Sequence, residues 1–125
     1  MNSRVFQEIY DVLAVLLPEH WKKVIFRAAY TTGSYSIKYY VEIEDGTFVD
    51  CFSLPGISRS QLIEAFISIN KIISADRKEL SEKDKWSVLT MIINTDGTFK
   101  TEFEYTDITE NAVSYLEALE EKYLK

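Results

Sequence analysis

Residues 84–107 read DKWSVLTMIINTDGTFKTEFEYTD, and this stretch decides the fold. From Trp86 to Asn94 the chain is β-branched and apolar, and from Thr98 to Tyr105 apolar and polar residues alternate. Asp96-Gly97 separates the two runs, a dipeptide suited to the positive φ of a tight hairpin turn. Successive side chains on a strand point to opposite faces. Phe99, Thr101, Phe103 and Tyr105 therefore share one face, and Lys100, Glu102, Glu104 and Thr106 share the other. The expectation is a hairpin that packs through its aromatic face and turns carboxylates to water.

Working outward, Asp-Gly recurs at Asp45-Gly46, inside a segment that reads as a three-strand meander. Its strands are expected over Trp21 to Tyr30, Tyr35 to Ile43 and Thr47 to Phe52, with turns at residues 31–34 and 44–47. In the middle strand Tyr35, Ile37, Tyr39, Val41 and Ile43 fall on one face, and Ser36, Lys38, Tyr40 and Glu42 on the other. Val5, Ile9, Val12, Leu13 and Leu16 follow the helical period over residues 3–17, with Asn2 or Ser3 as cap and Pro18 as the stop. Pro55-Gly56 breaks the sheet segment. Ser58 with Gln61 then resembles a capping box ahead of a wide apolar stripe, Leu62, Ile63, Phe66, Ile69, Ile72 and Ile73, running to about residue 79. Asp107 with Glu110 is the expected cap of a third helix carrying Ile108, Ala112, Tyr115, Leu119 and Tyr123. The fold class that follows is α+β: a single domain over residues 1–125 in the order α-β-β-β-α-β-β-α. Short turns make its five-stranded sheet antiparallel, with helices packed mainly on one side.

Composition excludes several classes of function. The 125 residues carry 20 acidic and 14 basic side chains, a net charge of −6, whereas nucleic-acid binding needs a basic footprint. Tyr30, Tyr35, Tyr39, Tyr40 and Tyr105 resemble a base-stacking platform in composition, but Glu42, Glu44, Asp45, Glu102 and Glu104 would surround it. The acidic balance suits a basic protein partner. A single cysteine, Cys51, cannot form an internal disulfide and points to a reducing compartment. Val12 to Leu17 is too short for a signal core, and no segment approaches the roughly 20 apolar residues of a membrane span. The expected location is the cytoplasm, with no membrane partner.

Catalytic chemistry finds little to work with. His20 is the only histidine and follows Pro18-Glu19 at a helix-to-strand corner, where a solvent-exposed turn residue is expected. One His and one Cys assemble neither a zinc site nor a Cys–His dyad within one chain. Glycine-rich phosphate loops, GxSxG elbows and HExxH patterns are absent from the sequence. Glu102 and Glu104 lie roughly 7 Å apart on one strand face, within the span of glycosidase pairs, but nothing in the sequence builds a cleft around them. Cys51 among Val49, Phe52 and Leu54 reads as a small buried hydrophobe. No enzyme activity and no cofactor are expected.

With those residues laid out, the chain resembles the YezG-type antitoxin (immunity) family of bacterial polymorphic toxin systems, which act much as contact-dependent growth inhibition does. The matching pieces are an N-terminal helix ending in LLPEHWKKVIFRAAY, the Tyr-rich SYSIKYYVE strand, and W-x-x-L-T-x-x-x-x-x-D-G-x-F, present as Trp86, Leu89, Thr90, Asp96, Gly97 and Phe99. An acidic-aromatic tail follows, Glu102-Phe103-Glu104-Tyr105-Thr106-Asp107. The resemblance implies a cytosolic protein that binds and neutralises one cognate toxin domain, commonly a nuclease.

Charge and resemblance together predict that an acidic face occludes the basic substrate cleft of the toxin. The candidate residues are Glu42, Glu44, Asp45, Asp50, Glu102, Glu104 and Asp107, with Tyr40 or Trp86 as anchors. Such a protein would be a monomer or a weak homodimer. A small acidic chaperone of the type III secretion kind shares the element order and is the alternative. It would work as a homodimer and hold an extended effector segment in apolar grooves. Topology alone does not separate the two.

Overall fold

The structure is a computed structural model that describes residues 3–124; Asn2, one of the two candidate caps, lies outside the described residues. The first helix, α1 (Ser3–Ala14), buries Phe6, Ile9 and Leu13. It stops before the expected residue 17. Pro18 biases the preceding residue away from helical backbone, and the Leu16 N–H bonds the Leu13 carbonyl at 2.8 Å in a closing turn.

Five strands follow the expected pattern. They are β1 (Lys23–Thr31), β2 (Ser34–Glu44), β3 (Thr47–Asp50), β4 (Val88–Asn94) and β5 (Phe99–Glu104), arranged β3-β2-β1-β4-β5 with every pairing antiparallel. β3 ends two residues early because the Asp50 carboxylate accepts the Phe52 N–H at 2.9 Å, which opens a 3-10 turn over Cys51–Ser53. The β4–β5 turn also differs in detail from a two-residue turn with positive φ at both centres. Gly97 has φ +88°, while among the described residues no non-glycine residue has positive φ. Asn94 N–H bonds the Thr98 carbonyl at 2.9 Å and Gly97 N–H the Asn94 carbonyl at 3.0 Å, a three-residue loop with glycine in the left-handed position.

Helix α2 (Arg59–Arg77) begins as expected: Ser58 and Gln61 form the reciprocal capping box. Helix α3 (Ala112–Tyr123) begins later than expected, with Asn111 as its N-cap. The Asp107 carboxylate does not cap the helix. It accepts the Thr109 N–H at 3.0 Å and hydroxyl at 2.7 Å, a local turn that competes with helix initiation.

The layers follow from strand alternation. Phe26, Ala28 and Tyr30 of β1, Ile37, Tyr39 and Val41 of β2, and Leu89, Met91 and Ile93 of β4 form the main core with α1 and α2. Phe6 of α1 packs on Phe99 and Phe103 of β5 with ring centroids 5.5 and 6.5 Å apart. On the other face Ala29, Val88, Ile108 and Leu119 form a smaller cluster beneath α3, joined by Ala112, Tyr115, Leu116 and Tyr123. Two helices thus share one side, and the third crosses the side that carries Lys100, Glu102 and Glu104. None of the helices among the described residues is long and apolar enough to cross a membrane.

Candidate functional site: the sheet face beneath α3

Strand parity gathers more of the candidate residues than their spacing in sequence suggests. Asp50 lies opposite Tyr40, Lys23 opposite Glu42, and Thr90 opposite Glu102. Asp50, Tyr40, Glu42, Glu102 and Glu104 therefore project from one face of the sheet, the face α3 crosses. The face is not an open acidic display, and that expectation is corrected. Tyr123 of α3 donates its hydroxyl to Glu102, and Tyr115 donates to Glu104 at 3.2 Å. Both carboxylates hold the helix down and are half-buried beside it. The bond from Tyr123 keeps the Glu102 carboxyl below its usual range.

The centre of this interface is a residue that sequence reasoning missed. Glu120 of α3 accepts the Tyr40 hydroxyl and lies 3.3 Å from the Arg27 guanidinium. Burial, followed by the Glu120 bond, pushes the Tyr40 phenol up to about 12. The Arg27 side chain is 9% exposed, it reaches Ser36 Oγ at 3.3 Å, and its Nε has no hydrogen-bond partner among the described residues. Its place in the sequence was a usable signal: one arginine within KVIFRAAY must find an acceptor once the strand is covered. Beneath α3 the space left between Ile25, Arg27, Tyr40, Thr90, Leu119 and Tyr123 is about 10 Å³, too small for a ligand.

Both proposed anchors are inside the protein, a second correction. Tyr40 is 7% exposed, under α3. Trp86 is 2% exposed, packed edge-on to Tyr30 at 5.6 Å and against Phe103 at 5.6 Å, with the Arg77 guanidinium over its ring and Arg77 Nε bonded to its carbonyl at 2.9 Å. Its partners explain the strongest part of the motif as packing: Trp86 closes the core where β1, β5 and α2 meet.

The remaining carboxylates fall at two ends of the sheet. Glu44 and Asp45 sit in the β2–β3 turn, where Asp45 pairs with Lys22 while its side chain stays 92% exposed. Glu42 accepts the Gly46 N–H at 2.9 Å and so shapes that turn. Asp50 pairs with Lys38 at 2.6 Å; these contacts outweigh burial and hold its carboxyl low. Asp107 lies at the opposite end, beside the loop into α3. Glu42, Glu44 and Asp45 form one group with Asp50 on the same side of the sheet, and Asp107 stands apart.

Other chemistry is sparse. His20 is exposed and borders, with Tyr10, Trp21, Lys22, Ile43 and Thr95, a groove of about 610 Å³ that contains no nucleophile paired with a base. Cys51 is fully buried, and burial pushes its thiol up to about 11, which leaves it protonated at neutral pH. Among the described residues no group of His, Cys, Asp and Glu is placed to hold a metal ion.

No curated protein matches the chain. The family model described as "Immunity protein YezG-like" matches residues 2–123, a span that takes in α1 to α3 and β1 to β5. The chain belongs to the YezG-like immunity protein family.

Proposed function

We propose that the chain neutralises its cognate toxin by docking a carboxylate-rich surface over the toxin's basic substrate cleft, that the toxin is a nuclease, and that the encounter takes place in the cytoplasm. Family membership supports an immunity role exercised through protein–protein contact. The observation that carries the finer mechanism is the exposure of Glu44 and Asp45 at the β2–β3 turn, with Glu42 and Asp50 further along the same edge of the sheet, in a molecule with net charge −6. Nucleases act on a polyanion and present positive clefts, so an acidic protein competes for the same surface. Opposed charge raises association rates by roughly 10- to 1,000-fold and disfavours wrong partners. A cell exposed to its own toxin needs fast capture.

Within this reading the carboxylates divide into two roles. Glu44 and Asp45, with Glu42 and Asp50 behind them, are the docking rim, and Asp107 is a second contact at the far end. Glu102, Glu104, Tyr40 and Trp86 act indirectly by fixing α3 and the hairpin. Inhibition is steric and electrostatic, without bond-making by this chain. Co-expression with the cognate toxin domain tests the role: growth rescue and a salt-sensitive complex of equal stoichiometry are expected. Loss of protection on reversing Glu44 and Asp45 to Lys would support the rim. Full protection by that double variant would move the interface elsewhere.

A further inference from the structure

We propose that two copies of this chain pair edge to edge through β5, antiparallel and centred on Thr101, joining two five-stranded sheets into one. This is independent of which toxin is bound. The sheet has two edges, and they are built differently. β3 is four residues long, its register with β2 shifts between Glu42 and Glu44, and it runs into a 3-10 turn. Short length and a bulge are the usual devices that blunt an edge. β5 has neither. Its six residues keep one register with β4, from Val88 opposite Glu104 to Ile93 opposite Phe99.

The phase of the ladder says which backbone groups are open. Asn94 N–H bonds the carbonyl of Thr98 across the pair that closes the hairpin. In an antiparallel ladder such hydrogen-bonded pairs recur at every second residue, so Lys100, Glu102 and Glu104 are the residues that bond β4. The N–H and C=O groups of Phe99, Thr101 and Phe103 point away from the sheet, and no backbone bond to them is found among the described residues. An edge of this kind is a template for another strand.

The side chains select a second copy as that strand. With Thr101 opposite Thr101 of the second copy, Phe99 meets Phe103 and Lys100 meets Glu102, each twice, by the two-fold symmetry. About six backbone hydrogen bonds form from the outward groups, and the two opposite-charge pairs lie on one face while the aromatic pairs lie on the other. Moving the centre by one residue in either direction sets Lys100 against Lys100 or Glu102 against Glu102, which is unfavourable. Charge thus fixes the register. Lys100 already bridges to Glu102 of its own strand at 3.5 Å, so its ammonium is positioned on the pairing face. Phe99 and Phe103, half-buried against Phe6, would lose their remaining exposure.

The test is sedimentation equilibrium of the full chain at up to roughly 100 μM, with oxidative cross-linking of Thr101→Cys. Residues in a hydrogen-bonded pair have Cα atoms about 5.5 Å apart, within disulfide range, and the buried Cys51 does not compete. The expected results are a concentration-dependent dimer and a cross-linked Thr101→Cys dimer. Lys100→Glu, on an exposed side chain, should weaken dimerisation by about tenfold or more, because it sets like charges opposite one another twice. Thr101→Pro, which removes an outward N–H and leaves the β4 ladder intact, should do the same. A chain that stays monomeric without cross-linking would overturn the proposal, as would a dimer indifferent to Lys100→Glu. Amides of β5 that become exchange-protected only when toxin is added would overturn it in favour of a toxin strand at this edge.

Discussion

Glu120→Ala tests whether α3 is held by its polar contacts with the sheet. Glu120 is the shared acceptor for the Tyr40 hydroxyl and the Arg27 guanidinium. Its removal leaves a buried phenol and a buried cation facing the alanine methyl, with only Ser36 Oγ still in reach of Arg27. Hydrogen bonds to charged groups contribute roughly 1.5–3 kcal/mol each. The Glu120 side chain is 35% exposed and the Arg27 contact is long, at 3.3 Å, so water offsets part of this. A net loss of about 2–3 kcal/mol remains, out of the ~5–15 kcal/mol typical of a domain. At about 4 °C per kcal/mol for a chain of this size, the melting temperature should fall by roughly 8–12 °C. Thermal melts followed by circular dichroism measure it, with Glu117→Ala as the control: that exposed side chain on the outer surface of α3 should change stability by less than about 0.5 kcal/mol. Equal melting temperatures for the two variants would refute the assignment of Glu120 as the centre of the interface.

Further outcomes follow from the same structure. The Tyr40 phenol, raised to about 12 in the folded state, contributes stability that is complete below the ordinary tyrosine value and is lost as pH rises through the folded one. Urea midpoints should therefore decline steadily between about pH 10 and pH 12, and a flat profile would contradict burial of that hydroxyl. Glu102 has the opposite sign: its folded-state carboxyl is lowered, so its contribution holds above the usual glutamate range and is lost on acidification. Tyr123→Phe should flatten the acid limb. Cys51 should resist thiol reagents in the native protein and react only on unfolding; stoichiometric labelling under native conditions would contradict its burial. Gly97→Ala should cost about 1–2 kcal/mol through backbone strain alone, since a Cβ there meets no neighbour within 4 Å, and Gly97→Asn should cost less. Chemical denaturation of both variants decides this.

The sequence revealed the architecture well because its strongest signals are local. Alternation in residues 98–105, the Asp-Gly turns and the Ser58–Gln61 box each determine a short piece of backbone, and those pieces appear in the structure. Where expectation and structure part, a tertiary or capping contact competed with the local pattern. Asp107 satisfies Thr109 instead of starting a helix, and Asp50 turns the chain out of β3. The site was less legible for a related reason. Alternation shows which side chains share a face but not what lies over that face. Ala112, Tyr115, Leu119 and Tyr123 marked α3 as amphipathic, yet its stripe ends in phenols that bond Glu102 and Glu104. Residues that look like a solvated acidic strand are therefore acceptors for a helix. Trp86 likewise reads as a surface anchor only until Arg77, Tyr30 and Phe103 are placed around it.

The most direct measurement is the association rate of the purified chain with its cognate toxin domain as ionic strength is raised from about 50 to about 500 mM, by stopped flow. Capture through opposed charge predicts a fall of roughly tenfold or more, and a slower rate at low salt when Glu44 and Asp45 are both replaced by Lys. A rate that ignores salt, or a toxin domain that is itself acidic, would contradict it.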